Sequence, residues 1–383
     1  MRTLFVAAGF SPASVFALAP LATSLRNAGH EVVMAAFDEL TPTITAVGLP
    51  AVSFETDETT KSIMTMDRPG GPINFPTAPD EEAWFLGAWF GRQAAVGLPG
   101  LVEFSRRWRP DVVIGGTLDY ATPMLGATLD VPHVRQAWDW MPLDEAHPHA
   151  DVELAPELAA LGLDHVPQPD LLVDICPPSL HLPEHNGARM MRWISGNRQR
   201  KLEPWMYTKA SRPRVCVTLG SRREAGSGGG EYLDELVEQL GSLEVDVVVA
   251  ATESLAEELR ARHPGIRADW LPLEFILPTC DVIVHHNGGL TAMNAMDAGV
   301  PQVILDRFKL LRKSTDMIER HGSSLVIHDE DNTPSVVAGA CASILADAEF
   351  ARRARALSAE IRALPAPPQI VADLEKIAVP WPG

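Results

Sequence analysis

The sequence lacks the features that define several protein classes. Four cysteines occur among 383 residues, and their wide spacing excludes a CxxC pair and argues against a zinc ribbon or a disulfide scaffold. No apolar run approaches the roughly 20 residues that a membrane-spanning helix needs. The short apolar run at residues 4–8 is broken at Gly9, so we interpret it as a first strand rather than a signal peptide. A reduced, cytoplasmic location is expected.

Basic residues are also scarce. Lysine and arginine together number 32 against 50 aspartates and glutamates, which gives a formal net charge of −18. A surface of that charge repels nucleic acids and anionic membranes. The expected partners are therefore small molecules, and the sequence leaves monomer and homodimer open.

What the sequence does contain is a strand–loop–helix plan that occurs twice. The second copy begins after a basic, proline-containing stretch at 196–212. The pattern predicts an α/β fold with two doubly wound, Rossmann-like domains facing a cleft. We place the first domain at 1–205 and the second at 206–365, followed by a helix at 366–383 that can return to the first domain. Neither copy carries the glycine motif of a nicotinamide dehydrogenase or a Walker-type ATPase.

The strongest chemical signal follows a predicted strand at 281–285. His286, Gly288, Gly289 and Thr291 stand between the end of that strand and a helix. A helix N-terminus offers free backbone N–H groups and a positive partial charge, which suits a phosphate or diphosphate. The alternative is an ordinary helix start with a hydrogen-bonded histidine.

A second loop upstream begins at Trp270, whose indole can stack on a nucleobase. Together, Trp270-x-Pro, His286-x-Gly-Gly-x-Thr and Ala298-Gly-Val-Pro-Gln resemble the donor-binding signature of glycosyltransferase family 1, which has the GT-B fold. The likeness covers nearly the whole chain. Within the family, residues 174–180 and 202–208 resemble actinomycete transferases that attach deoxysugars to aromatic (angucycline) polyketides, the group of the urdamycin C-glycosyltransferase and the landomycin O-glycosyltransferase.

The resemblance implies an acceptor-binding first domain and a second domain that binds a dTDP-deoxyhexose. It implies donor contacts at Ser11, Ser221, Trp270, Leu271, His286, Gly288, Gly289 and Thr291. Trp270 would stack on thymine, and His286 and Thr291 would hold the diphosphate. No metal or other cofactor is implied, and the DxD-like string at 329–331 is interpreted as a helix cap.

The sequence departs from the family in its first loop. Most O-glycosyltransferases of the family have a histidine base where this chain has Ser14, and serine at its ordinary pKa does not act as a base unaided. Asp139 matches an aspartate of the urdamycin-type enzymes and is our predicted catalytic base. Its aromatic neighbours Trp138 and Trp140 can raise its pKa. The alternative is a loop aspartate that caps a helix or pairs with Arg135.

A second departure lies after the predicted strand 300–305. The family's Asp-Gln pair, which recognises sugar hydroxyls, is replaced there by residues 306–309, Asp-Arg-Phe-Lys. A donor with fewer hydroxyls, such as a 2,6-dideoxyhexose like D-olivose, is compatible with that loss.

The acceptor side is predicted from a long polar loop at 54–80 and the aromatic residues that follow it. Acceptor contacts are predicted at Ser14, Met64, Met66, Phe75, Trp84 and Trp138. Phe85 and Trp89 would add apolar walls, with core packing as the alternative. His147, His149 and Asp151 are interpreted as a solvated turn rather than a metal site, and His181 and His185 as exposed.

Several functions remain open on these residues. An inverting transfer that forms an O-glycoside is slightly favoured over a C-glycoside, because residues 56–66 differ from the urdamycin enzyme. A nucleotide-sugar 2-epimerase shares the fold, but the aromatic-rich first domain argues against it. An inactive nucleotide-sugar-binding auxiliary protein is the non-enzymatic alternative.

Overall fold

The computed structural model describes residues 1–54, 56, 58–76, 78–138, 140, 145–181, 185–220, 229–306 and 309–379. The chain forms two compact units. The first comprises Met1–Cys176, Leu182–Arg198 and Leu364–Gly383, and the second comprises Pro177–His181 and Gln199–Ala363. The sequence placed the change of domain after residue 205; in the structure, residues 177–181 already belong to the second unit, and the main crossing follows residue 198, with the return at residue 364.

The first unit is built on a parallel sheet. Its strands are β1 (Arg2–Val6), β2 (Glu31–Ala36), β3 (Ala51–Ser53), β4 (Val112–Gly115), β5 (His133–Gln136), β6 (Leu171–Asp174) and β7 (Arg189–Met190). They pair in the order β3-β2-β1-β4-β5-β6-β7. Because the order reverses between β1 and β4, the carboxyl ends of these two strands flank the crevice where doubly wound sheets bind ligands.

Seven helices accompany this sheet before the chain leaves the unit, among the residues described. They are α1 (Pro12–Asn27), α2 (Thr41–Ala46), α3 (Thr60–Thr65), α4 (Pro79–Trp108), α5 (Ala121–Leu129), α6 (His147–Glu153) and α7 (Ala155–Leu161). The long helix α4 packs against both α5 and α6. Its residue Phe90 lies beside Gly9, just beyond the carboxyl end of β1.

The second unit repeats the plan. Its strands are β8 (Arg214–Thr218), β9 (Asp246–Ala250), β10 (Arg267–Asp269), β11 (Val282–His285), β12 (Gln302–Asp306) and β13 (Ser324–His328). All are parallel, in the order β10-β9-β8-β11-β12-β13. The switch point lies between β8 and β11, both of which are buried along their whole length. The predicted pair of doubly wound α/β domains is confirmed.

The helices of the second unit follow the same alternation. They are α8 (Gly229–Gly241), α9 (Glu253–Arg262), α10 (Leu273–Ile276), α11 (Gly289–Ala298), α12 (Arg312–His321), α13 (Pro334–Ala346) and α14 (Ala348–Ala363). Leu233, Leu236 and Leu240 on α8 are fully buried against β8 and β9 in one hydrophobic cluster. This spacing of three and four residues is the apolar stripe that predicted the helix.

The last helix, α15 (Pro367–Ile377), belongs to the first unit and packs against α1. Arg189 Nε lies 2.6 Å from Asp373 Oδ2, and the Val379 N–H donates to the Asp111 carbonyl at 3.1 Å. These contacts fasten the C-terminal residues beside the strands of the first sheet.

The prediction of a continuous loop at 54–80 is wrong. Residues 60–65 form α3, and Thr59 and Ser62 make reciprocal hydrogen bonds that start this helix. Met66 then pairs with Pro72 in an isolated bridge, and α4 already begins at Pro79. A six-residue helix is too short to produce a periodic pattern, so only its cap signalled it.

The predicted solvated turn at 147–151 is also wrong, because these residues form α6. His147 is half-buried and lies 3.0 Å from the Tyr120 hydroxyl, and burial lowers its pKa to about 4. His181 and His185 are half-buried rather than exposed, and His185 Nδ1 lies 3.0 Å from Asp174 Oδ2.

The DxD-like string at 329–331 does not supply a helix cap. It forms a single 3-10 turn, and the hydroxyl of Thr333 accepts the Val336 N–H at the start of α13. Threonine is a strong N-cap residue, so the cap lies two residues beyond the acidic string.

Within the described ranges, no single helix is long and apolar enough to cross a bilayer, although α13 and α14, bent by 82°, reach that length and composition as a pair.

Candidate functional site

The carboxyl ends of β8 and β11 bring two residues into close contact. Gly220 follows β8 with φ +75°, and a Cβ added there would lie 2.2 Å from the Cε1 of His286. Only glycine combines that backbone conformation with so close an approach of a ring. The imidazole of His286 is therefore held against the end of β8, at the switch point of the second sheet.

Helix α11 begins beside this histidine. Gly288 occupies its N-cap with an extended backbone and, having no side chain, leaves the first N–H groups of the helix for another partner. A Cβ on Gly288 would lie 3.0 Å from His286 and 3.7 Å from the Thr291 hydroxyl. The structure thus brings together four predicted donor residues, His286, Gly288, Gly289 and Thr291, around one positive helix end.

A buried histidine fixes the turn that leads into α11. The Nδ1 of His285 accepts the N–H of Asn287 at 3.2 Å, so its Nε2–H donates to Gln302 Oε1 at 2.8 Å. Burial lowers the pKa of His285 to about 4. A neutral imidazole with one fixed tautomer is the state that makes both hydrogen bonds.

Asn287 completes this turn. Its φ is +61°, in the left-handed region, where asparagine is tolerated better than most residues. Its side-chain amide donates to Asp306 Oδ1 at 3.3 Å, across from β11 to the end of β12. Asp306 also accepts from the Thr315 hydroxyl at 3.3 Å, and burial raises the pKa of its carboxyl. The pair of Asn287 and Asp306 was not predicted from the sequence. The only sequence signal for it is the asparagine between His286 and Gly288.

The predicted nucleobase residue lies at the end of β10. Trp270 is half-buried, and Arg200 braces its loop by donating to the Trp270 carbonyl at 2.7 Å and pairing with Asp269 at 2.9 Å. β10 lies three strands from β11, or about 14 Å at the usual spacing between strands. Leu271 is only 3% exposed and packs in the core, so only its backbone is available for a ligand.

In the first unit, the two predicted serines lie at the start of α1. Ser11 is the N-cap, and its hydroxyl accepts the N–H of Ala13 at 3.3 Å. Ser14 is buried and donates to the Ser11 carbonyl at 3.3 Å. Both serines follow β1 at the switch point of the first sheet. Ser14, however, has its hydroxyl engaged within the helix turn rather than presented to a ligand.

The aromatic residues of α4 form a continuous band with residues from three loops. We call this the aromatic band, and it consists of Phe10, Phe75, Phe85, Trp89, Phe90 and Trp138. Ring centroids of successive members lie 4.7–6.3 Å apart, from Phe75 through Phe85 and Trp89 to Trp138. Phe75 is 58% exposed while Trp138 is buried, so the band runs from the surface into the unit.

The other predicted acceptor residues differ in exposure. Met66 and Trp84 are 40% and 43% exposed, and Met64 is half-buried. Phe85 and Trp89 are buried, which agrees with the core-packing alternative for these two. Trp138 lies so close to Gly116 that a Cβ on Gly116 would be 2.4 Å from the indole. The aromatic band therefore contacts the carboxyl end of β4.

Asp139 and Ser221 lie outside the described residues. A different aspartate, Asp119, follows β4, and sequence reasoning did not select it. Burial raises its pKa to about 6, and its carboxylate accepts from the N–H groups of Ala121 and Thr122 and from the Thr122 hydroxyl. These bonds satisfy both oxygens at the start of α5, so we interpret Asp119 as a capping residue.

Across the described residues, no group of three or more His, Cys, Asp or Glu side chains is arranged to hold a metal ion. Two open surface cavities, of about 570 and 580 Å³, lie away from the predicted sites. The first surrounds Trp205 and Arg212 near the amino ends of β8 and β9, and the second lies on the outer face of α4.

Two parallel-sheet α/β units, each with a switch point in its strand order, are the architecture of a GT-B glycosyltransferase. The chain matches the N-terminal domain of the erythromycin biosynthesis protein CIII-like family over residues 23–220 and its C-terminal domain over residues 234–377. The protein therefore belongs to the erythromycin CIII-like glycosyltransferases, enzymes of deoxysugar transfer in antibiotic biosynthesis.

Individual relatives agree with this assignment. The chain is 31% identical to the L-demethylnoviosyl transferase of Streptomyces niveus, with 94% of each chain covered. It is 28% identical to the aclacinomycin-T 2-deoxy-L-fucose transferase of Streptomyces galilaeus, covering 98% of this chain and 96% of that one.

A solved structure extends the comparison to the fold. The glycosyltransferase SsfS6 of Streptomyces sp. SF2575, complexed with thymidine diphosphate, is 32% identical, with a TM-score of 0.86 and coverage of 98% and 99% of the two chains. The expected family is confirmed. The finer likeness to the urdamycin and landomycin enzymes stays a prediction.

Proposed function

We propose that this glycosyltransferase moves a 2,6-dideoxyhexose, D-olivose-like, from a dTDP-sugar to a phenolic hydroxyl of an angucycline-type polyketide. The bond formed is an O-glycoside with inversion at the anomeric carbon, and neither a metal nor another cofactor takes part. The observation that carries the proposal is the uncapped start of α11 beside His286, at the switch point of the second sheet.

The donor-binding part of the proposal rests on the positive charge at the start of α11 and on the position of Trp270 relative to it. Backbone N–H groups at the start of α11, with His286 and Thr291 beside them, suit a diphosphate. Trp270, at the far end of the same sheet edge, suits a base that stacks on its indole. SsfS6 was solved with thymidine diphosphate, which supports a thymidine nucleotide here as well.

The reaction proceeds by displacement at the anomeric carbon. The bond from that carbon to the diphosphate oxygen breaks, and the charge that develops on the diphosphate is stabilised by the N-terminus of α11. The phenol oxygen attacks the opposite face and forms the new bond. Its proton passes to Asp139, the predicted base.

The choice of a deoxysugar rests on Asp306. This carboxylate is engaged by Asn287 and Thr315 inside the unit, so it is not available to read sugar hydroxyls. A donor with few hydroxyls loses little from that arrangement. The 2-deoxy-L-fucose specificity in the name of one relative is consistent with such a donor.

A C-glycoside is the alternative product, and Ser14 in place of the usual first-loop histidine keeps it open. In that reaction the carbon ortho to the phenol attacks instead of the oxygen. The deciding experiment is transfer from dTDP-2,6-dideoxyhexose to a polycyclic phenol, followed by acid treatment. An acid-labile product supports the O-glycoside, whereas an acid-stable product establishes a C–C bond.

The absent histidine also motivates a second alternative, an inactive nucleotide-sugar-binding protein that assists another transferase. Binding of thymidine diphosphate without any turnover of the phenol would favour it. Our proposal includes a cytoplasmic protein, monomeric or homodimeric, with no nucleic-acid or membrane partner.

A further inference from the structure

One face of α4 presents two buried hydrogen-bond donors to the loop that follows β1. The Gly9 N–H donates to Gln93 Oε1 at 2.8 Å, which fixes the orientation of the Gln93 amide. The Nε2 of that amide is buried and has no hydrogen-bond partner within the described chain. Gln93 as a whole is 2% exposed.

Trp89 lies one helical turn before Gln93, on the same face of α4. It is 3% exposed, and its indole Nε1–H is likewise buried without a partner among the described residues. The indole packs on Phe10, the neighbour of Gly9, with ring centroids 4.9 Å apart. Both side chains therefore meet the same two-residue segment at the carboxyl end of β1.

Two buried donors one helical turn apart, both without a partner among the described residues, require an explanation. A buried donor without a partner is unfavourable, and most such groups in folded proteins are paired with protein, water or ligand. Phenylalanine would fill the space of Trp89 without that penalty, and at Gln93 only the oxygen, which accepts from Gly9, is accounted for. Trp89 belongs to the aromatic band, which includes Phe75 and Trp138, two of the residues predicted from the sequence to contact the acceptor.

We propose that the Trp89 indole N–H and the Gln93 amide N–H bind one carbonyl oxygen of the acceptor. The site thereby selects polycyclic phenols that also carry a ketone or quinone carbonyl. This inference rests on the proposed function, because it places the acceptor rings along the aromatic band. Phe10, which is half-buried on the indole, moves aside when the acceptor enters.

The chemistry of the two groups favours a carbonyl. Both are neutral donors, and a carbonyl oxygen has two lone pairs to receive them. A carboxylate would have to leave water for a region of aromatic rings, at a large desolvation cost. The charge of the nearby cation, Arg92, is already balanced by Glu153, whose carboxylate lies 3.2 Å from Arg92 Nη1.

The test compares two acceptors, a hydroxyanthraquinone and the matching hydroxyanthracene without carbonyls, in the full-length enzyme. Trp89→Phe keeps the ring and removes the N–H. Gln93→Glu keeps the oxygen that accepts from Gly9 and removes the amide donor. Trp108→Phe, at the far end of α4, is the matched control.

We expect each variant at Trp89 or Gln93 to lower kcat/KM for the quinone about tenfold, with little change for the anthracene. The control should change neither. An equal loss on both acceptors would show a packing role, and no loss on either would mean that ordered water satisfies the donors. Both results overturn the inference.

Calorimetric binding of the same two compounds separates this inference from the proposed function. If the wild-type enzyme binds the quinone more tightly and both variants lose that preference, the carbonyl site stands even without sugar transfer. If sugar transfer occurs but wild type and variants prefer the quinone over the anthracene equally, the proposed function is supported and the carbonyl site is disproved.

Discussion

The imidazole of His286 lies directly over the α-carbon of Gly220, so that a single methyl group at residue 220 would collide with the ring. This contact joins the carboxyl ends of β8 and β11, two strands that pair side by side. It sets the position of His286 relative to the start of α11, and so the shape of the predicted diphosphate site.

We therefore expect Gly220→Ala to weaken the binding of thymidine diphosphate at least tenfold. The added Cβ displaces His286, and alanine is strained at a φ of +75°. Calorimetric titration with thymidine diphosphate measures the change. Gly241→Ala is the control, because a Cβ there meets nothing within 4 Å. Equal affinities in both variants would contradict a role for the Gly220–His286 contact.

The turn at Asn287 gives a second prediction. Asn287→Ala should lower the free energy of unfolding by about 1–2 kcal/mol more than Asn287→Gly does, because alanine pays the left-handed penalty that glycine avoids. Both variants lose the hydrogen bond to Asp306. Urea denaturation of the two variants measures the difference.

Asp306→Asn tests the hydrogen bond between residues 287 and 306 without changing the backbone conformation of residue 287. It leaves residue 287 unchanged and replaces a carboxylate acceptor by an amide that is still able to accept. If the hydrogen bond positions α11, this variant should reduce affinity for thymidine diphosphate less than Asn287→Ala. A larger effect of Asp306→Asn would point to a direct role of the carboxylate at the sugar.

How much the sequence predicts depends on the range of the interaction. The start of α11 was predicted because strand, glycines and helix follow one another locally. The pair Asn287 and Asp306 was not, since the two residues are 19 apart and meet only because β11 and β12 are neighbours. The contact between Gly220 and His286 is likewise a product of strand order.

The aromatic residues of α4 show the same limit. The sequence predicted Trp84, Phe85 and Trp89 alike as acceptor walls, with core packing as the alternative, but Trp84 is exposed while Phe85 and Trp89 are buried. That outcome depends on Phe10 and Phe75, which reach α4 from two separate loops. The short helix at 60–65 was missed because only its hydrogen-bonded cap distinguishes it from a loop.

Stability should depend on pH through His285. Its pKa in the folded protein is about 4, below the ordinary 6.5, so the unfolded chain takes up this proton first. The stabilisation present above pH 6.5 is therefore lost as the pH falls towards 4, by about 3 kcal/mol in all. His147 acts in the same direction, and Asp119, with its raised pKa, acts oppositely.

His285→Gln isolates this contribution. It removes the titrating group but retains a donor and an acceptor, so the variant should be less stable at pH 7 and show a flatter pH dependence. Urea midpoints at several pH values between 7 and 4.5 make the comparison. If the difference in urea midpoint between wild type and His285→Gln stays constant over this pH range, the pH dependence does not arise from His285.

The segment before α4 is held by Arg68. Its guanidinium pairs with Glu153 at 2.8 Å and with both oxygens of Glu157, at 2.8 and 3.0 Å. Arg68→Ala should loosen residues 66–72 and raise the KM for the acceptor severalfold, while affinity for thymidine diphosphate stays unchanged. Arg107→Ala, which breaks an exposed pair with Glu103, is the control. A parallel loss of donor affinity would argue against a role confined to the acceptor.

Asp119 and Asp139 each follow a strand of the first sheet in the sequence. Substitution of each should distinguish a structural role from a catalytic one. Asp139→Asn removes the predicted base and should lower kcat by a factor of about 100 or more, with nucleotide affinity and stability preserved. Asp119→Asn keeps an oxygen for the N–H groups of Ala121 and Thr122 but loses the acceptor of the Thr122 hydroxyl, and should lower the free energy of unfolding by about 1 kcal/mol, with a smaller effect on kcat. If Asp139→Asn retains near-normal turnover while Asp119→Asn abolishes it in a folded enzyme, the buried carboxyl of Asp119, with its pKa of about 6, is the base instead.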